Sequence, residues 1–104
     1  MNKIRLAGAA LALVSSATLA MAQSAADNYK KYCAMCHGAD GAAATGPGRA
    51  MKVHPFKAPD QIKLTDTQIF DATKQGKGVM KGYASKLTDS QIKELVAYVR
   101  SLQK

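Results

Sequence analysis

Large rings are scarce in this chain: it has no tryptophan, two phenylalanines and four tyrosines among 104 residues. Such a set fits a core whose largest planar object is not an amino acid. Cysteine is scarcer still, with only Cys33 and Cys36, three positions apart. A disulfide between them would close too small a loop to add much stability, so a disulfide framework is excluded. Acidic residues are also few, 7 against 15 Lys and Arg, for a formal charge of +8. No segment shows the alternation of a strand, and none is expected. The longest apolar run, Leu6 to Val14, is diluted beyond its end by Ser15, Ser16 and Thr18. It falls short of the roughly 20 apolar residues a spanning helix needs, so stable membrane insertion is not expected.

That run has instead the build of a cleavable export signal. Lys3 and Arg5 precede it, and Ala20-Met21-Ala22 follows it as a small-residue cleavage site. No twin arginine is present and no cysteine follows the site, which leaves neither a twin-arginine route nor a lipid anchor. Residues 1–22 are therefore expected to be removed, and residues 23–104 to form one domain in a periplasm. Losing Lys3 and Arg5 lowers the basic count from 15 to 13 against 7 acidic residues, a formal charge of +6. A chain of this size buries only about two-thirds of its unfolded surface, so its core needs help.

Cys33-Ala34-Met35-Cys36-His37 shows where help could come from. It reads C-x-x-C-H, the attachment motif of a c-type haem. Two thiols at this spacing on a turn can add to the two vinyl groups of one porphyrin. His37 then lies under the iron as proximal ligand. The competing readings are a redox disulfide, which lacks its usual βαβ setting, and half of a zinc site. A zinc site would have to draw its fourth ligand from His54, the only other histidine.

Three helices are expected in the rest of the domain. The first runs from about Ser24, a candidate cap, to Cys36, with Tyr29, Tyr32, Cys33 and Cys36 at helical spacing. The other two, from Thr65 to about Gln75 and from Thr88 to about Leu102, share a start signal. Leu64-Thr65-Asp66-Thr67-Gln68-Ile69 is echoed by Leu87-Thr88-Asp89-Ser90-Gln91-Ile92. In each, Thr is the N-cap, Gln completes a capping box, and Leu can staple onto Ile. Ile92, Leu95, Val96, Val99 and Leu102 give the last helix an apolar face bordered by Tyr98. Gly38 to Asp60 has no sustained period and reads as a loop along one haem edge.

This order of motifs resembles a small class I cytochrome c across the whole of residues 23–104. Tyr29 matches the family's aromatic four residues before the first cysteine, and Ala25 the small residue at a helix crossing. Leu95 and Tyr98 match the Leu-x-x-aromatic pair of the closing helix. The resemblance implies an all-α cytochrome c fold in which the N- and C-terminal helices cross and irregular loops wrap one covalent haem. Gly46-Pro47 resembles a family Gly-Pro, which implies that the Pro47 carbonyl accepts a hydrogen bond from His37. Gly76-Lys77-Gly78-Val79-Met80-Lys81-Gly82-Tyr83 resembles the distal loop, which implies Met80 as the second axial ligand. Lys81 stands where the family usually has proline. Rival ligands are Met35, kept off the distal face by its place between the cysteines, Met51, a candidate for packing, and His54.

With His37 and Met80 on one iron, no coordination position remains for a substrate. The implied function is electron transfer on one haem c, not enzymatic catalysis, by a monomer. Alternatives are a haem subunit held in a periplasmic dehydrogenase or respiratory complex, and a ligand-binding haem sensor. Lys52, Lys57, Lys74, Lys77, Lys81 and Lys86 are expected around the haem pocket, where they would steer redox partners bearing acidic patches. Nucleic acid is not an expected partner despite the basic balance.

Overall fold

The computed structural model describes the backbone of residues 2–104 and the side chains from residue 16 onward. The side chains of Lys3, Arg5 and Leu6 to Val14, on which the expected leader rests, lie outside the described residues. Helix α1 spans Asn2–Tyr32 without interruption, so Ser24 lies inside it and caps nothing. No proline occurs before residue 47 to break it, and its first half is rich in Ala and Leu, strong helix formers. Among the described residues, no helix is long and apolar enough to cross a membrane.

After Cys33 a one-turn helix α2, Ala34–His37, carries the rest of the motif, so the first helix stops at Tyr32 and not at Cys36. The stretch expected to be a plain loop contains two more single turns, α3 at Gly46–Ala50 and α4 at Pro59–Ile62. Each has a proline in its first two positions, Pro47 and Pro59, where its fixed φ and missing N–H cost nothing. They are too short to show a hydrophobic period.

Helices α5, Asp66–Gln75, and α6, Asp89–Leu102, begin where their shared signal places them. Thr65 Oγ1 accepts the Gln68 N–H at 3.1 Å while Gln68 Oε1 accepts the Thr65 N–H at 2.8 Å. Thr88 and Gln91 do the same at 3.1 and 2.9 Å. Each box satisfies two amides that the helix cannot pair internally.

Between α5 and α6 lies the one departure from an all-α chain among the described residues. Gly76–Lys77 (β1) pairs antiparallel with Met80–Lys81 (β2), in the register Gly76 to Lys81 and Lys77 to Met80. This corrects the expectation of no strand. Two residues per arm are too few to show alternation, and the signal is instead Gly78, whose φ of +58° opens a two-residue hairpin loop.

The core forms where α1 and α6 pack together. Ala25 and Tyr29 from α1 are buried with Ile92, Leu95, Val96 and Val99 from α6. The Tyr29 and Tyr98 rings lie 4.9 Å apart, a separation at which aromatic pairs attract. Ile92 is fully buried, which stabilises the fold by about 1.5–3 kcal/mol relative to exposure. Arg100 ties α6 to the start of α5: its Nε donates to Asp66 Oδ1 at 2.9 Å, and its Nη2 donates to the Leu64 carbonyl.

Candidate functional site

The Cys33–His37 turn is fixed by hydrogen bonds from three directions. Cys33 is the last amide to follow α1, donating to the Tyr29 carbonyl at 2.8 Å. His37 N–H then donates to the Cys33 carbonyl at 3.0 Å, and Gly38, at φ +80°, turns the chain away. The Tyr29 hydroxyl donates to the Gly38 carbonyl at 2.5 Å, pinning the Gly38–Ala39 peptide just beyond the turn. From the outer side, Thr45 Oγ1 donates to the Met35 carbonyl at 2.7 Å and accepts the Gly48 N–H at 3.0 Å. Gly48 is required there, because a Cβ would stand 2.3 Å from the Cys36 carbonyl oxygen and 2.6 Å from that of Ala43.

Cys33 and Cys36 are free, half-buried thiols. Burial, with the neighbouring Cys36 charge, pushes the Cys33 thiol up to about 11. It is therefore neutral at ordinary pH and by itself a weak nucleophile. Burial pushes the His37 imidazole below its usual value. His37 Nδ1 is buried and has no hydrogen-bond partner. The bond expected from it to Pro47 is not formed. Pro47 sits in the first turn of α3, capped by Thr45, where its carbonyl accepts the Met51 N–H at 3.0 Å.

Two apolar clefts meet at this turn. One is lined by Tyr29, Leu64, Ile69 and Leu95, the other by Tyr32, Cys36, Val53 and Lys81. Cys33, His37 and Met80 line both, so the sulfur-bearing hairpin residue comes to the same space as the attachment turn. His54 lines neither. It is exposed, and its Nδ1 pairs with Asp60 Oδ2 at 2.6 Å, which holds that carboxyl below its usual range. Met51 reaches the second cleft from an exposed position, and Met35 is exposed outside both.

Residues 20–99 match the family described as cytochrome c oxidase, cbb3-type, subunit III. Among solved structures the chain is similar to the KustC0563 c-type cytochrome, with 31% identity and a TM-score of 0.69. That match covers 76% of this chain and 96% of the other. The chain belongs to this cytochrome c family. No curated protein matches it.

As a c-type cytochrome it carries covalently bound haem c with its iron. The residues present fit that group. The paired clefts are lined almost wholly by apolar atoms, the two thiols open on one of them together, and His37 supplies a buried imidazole. The cytochrome also uses residues that sequence patterns did not single out. Phe56 stacks on the His37 ring, and Gln103 Nε2 donates to the Phe56 carbonyl at 3.1 Å. Neither contact has a local signal, because the partners are 19 and 47 positions apart. Thr45 and Gly48 had a partial one: a Thr and a Gly flanking Gly46-Pro47 form a cap and a tight first turn.

Proposed function

We propose that this cytochrome passes single electrons between protein partners, with haem c held by thioethers to Cys33 and Cys36 and ligated through His37 and Met80. The observation that carries this reading is that Met80 and His37 line the same two clefts, while His54 is committed to Asp60 at the surface. The haem supplies the one-electron couple, and the chain's task is to hold it in an apolar setting with both axial positions filled. A neutral thioether favours the ferrous state and raises the potential. Filled positions leave none for a substrate, which fits a carrier and not an enzyme.

Met80→Ala and His54→Ala variants test the ligand set. Loss of the low-spin ferric spectrum and a lower potential are expected for Met80→Ala alone. The same loss in His54→Ala, with Met80→Ala unaffected, would assign the position to His54.

We place the mature domain in a periplasm, released from a leader ending at Ala22, and assign it acidic redox partners. Lys52, Lys57, Lys77, Lys81 and Lys86 are exposed, and Lys81 borders the second cleft. Lys74 is less available, since its Nζ pairs with Asp89 at 3.1 Å. The matching family's description names an oxidase subunit, which supports a second reading as a haem subunit of a respiratory complex. Co-purification with larger subunits at high salt would favour the subunit, and monomeric behaviour the carrier.

A further inference from the structure

We propose that Phe56 is a positioning residue that fixes the rotational setting of the His37 imidazole, and that Gln103 holds Phe56 in place for that purpose. The proposal rests on the reading of His37 as an iron ligand. The two rings lie face to face, with centroids 4.6 Å apart and planes 15° from parallel. No polar group performs this role at Nδ1, which is buried and without a hydrogen-bond partner. A ligating histidine ordinarily has its ring orientation set by a hydrogen bond from its second nitrogen. Here an aromatic face takes that place.

Phe56 is held by burial of its ring and by hydrogen bonds at both its N–H and its carbonyl. Its ring is almost wholly buried, and its N–H donates to the Gly41 carbonyl at 2.9 Å. Gly41 has a φ of +77°, and a Cβ there would come within 2.6 Å of Phe56 Cδ2, so the ring lies directly against bare backbone. On its other side the Phe56 carbonyl receives Gln103 Nε2 at 3.1 Å. Gln103 is in turn oriented by Arg100, whose Nη1 donates to Gln103 Oε1 at 2.9 Å. Arg100 is anchored on Asp66. A chain of contacts thus runs from the start of α5, through the end of α6, to the imidazole face.

The imidazole plane matters because it determines how the ligand's π orbital splits the iron d levels. The oxidised low-spin protein reports this directly in its electron paramagnetic resonance and in the spread of haem methyl proton shifts. Phe56→Leu in the holoprotein keeps an apolar side chain but removes the flat face. It is expected to move and broaden the low-field resonance and to redistribute the methyl shifts. Phe56→Tyr keeps the face and should restore the native pattern. Gln103→Met, which keeps the side chain's length but removes both the donor to Phe56 and the acceptor of Arg100, should broaden the resonance in the same direction by less.

An unchanged resonance position and width in Phe56→Leu, with native helical circular dichroism, would overturn the proposal. If Phe56→Leu does not accumulate as holoprotein, Gln103→Met decides in its place, and an unchanged resonance there overturns it equally. A native low-spin spectrum in His37→Ala would remove the ligand reading itself, and the proposal with it.

Discussion

The Tyr83 hydroxyl donates to the Tyr32 carbonyl at 3.0 Å, joining two residues 51 positions apart. Tyr32 is the last residue of α1, where carbonyls lack an intrahelical partner, and it immediately precedes Cys33. Tyr83 lies three residues beyond Met80, and the two rings pack at 5.6 Å. One side chain therefore fastens the Met80 loop to the haem-attachment turn. Tyr83→Phe should cost about 1 kcal/mol, a drop of roughly 4–8 °C in melting temperature for a domain of this size. It should also speed displacement of the distal ligand by cyanide. Stopped-flow absorbance of the oxidised protein, alongside thermal melts, checks both effects.

Gly82 stands behind Met80 where the hairpin returns to α5. A Cβ there would lie 2.6 Å from the Lys74 carbonyl oxygen and 2.6 Å from the Gln75 carbonyl carbon, both of them backbone. Neither can swing aside as a side chain would. Gly82→Ala should therefore push the hairpin away from α5 and cost about 1–3 kcal/mol. If Met80 ligates the iron as proposed, it should be partly lost as a ligand while the haem stays attached, seen as loss of the sulfur-to-iron charge-transfer band with the pyridine haemochrome unchanged.

What was legible in the sequence was local. The Thr65 and Thr88 caps each need residues only three positions apart, and the buried face of α6 repeats every three or four residues. The attachment motif was legible because its spacing is itself the chemistry, whereas Met80 was singled out only by resemblance to a family loop. The hairpin was missed because its signal is a glycine conformation at Gly78 and not a hydrophobic period. The single turns α3 and α4 were missed for want of length. Pro47 was assigned a hydrogen bond from His37 by resemblance alone, whereas its carbonyl accepts the Met51 N–H and His37 Nδ1 has no partner. The Phe56 and Gln103 contacts depend on how distant segments fold back, which no window of sequence contains.

The two capping boxes lie on separate helices and share no partner. Thr65→Ala and Thr88→Ala should each lower stability by about 1 kcal/mol, and the double variant by nearly the sum. Urea unfolding followed by circular dichroism checks this. A double variant no less stable than either single one would show that the helix starts are coupled.

If the lysines steer an acidic partner, their effect must depend on ionic strength. Lys81 is exposed and borders the second cleft. Lys81→Glu should slow reduction by an acidic donor protein several-fold at low salt. At ionic strengths where the Debye length falls to about 3 Å, near 1 M, it should match the parent. A deficit that persists at high salt would point to lost contact or altered potential and not to steering.

Tyr29 makes stability depend on alkaline pH. Burial above all, with the nearby Tyr98 and Asp40 charges, pushes its phenol well above the usual 10. Only the protonated phenol can donate to the Gly38 carbonyl. The unfolded chain loses this proton near pH 10, while the folded chain keeps it. The stabilisation is therefore whole below pH 10 and is lost as the pH climbs from there towards the folded value. Burial raises Tyr83 in the same direction, so the two phenols act together. Tyr29→Phe should cost about 1 kcal/mol at pH 7 through the lost hydrogen bond. Its urea midpoint should then fall less steeply above pH 10, with Tyr83 supplying the slope that remains. A slope identical to the parent's would mean that the Tyr29 phenol ionises in the folded protein as readily as in the unfolded chain.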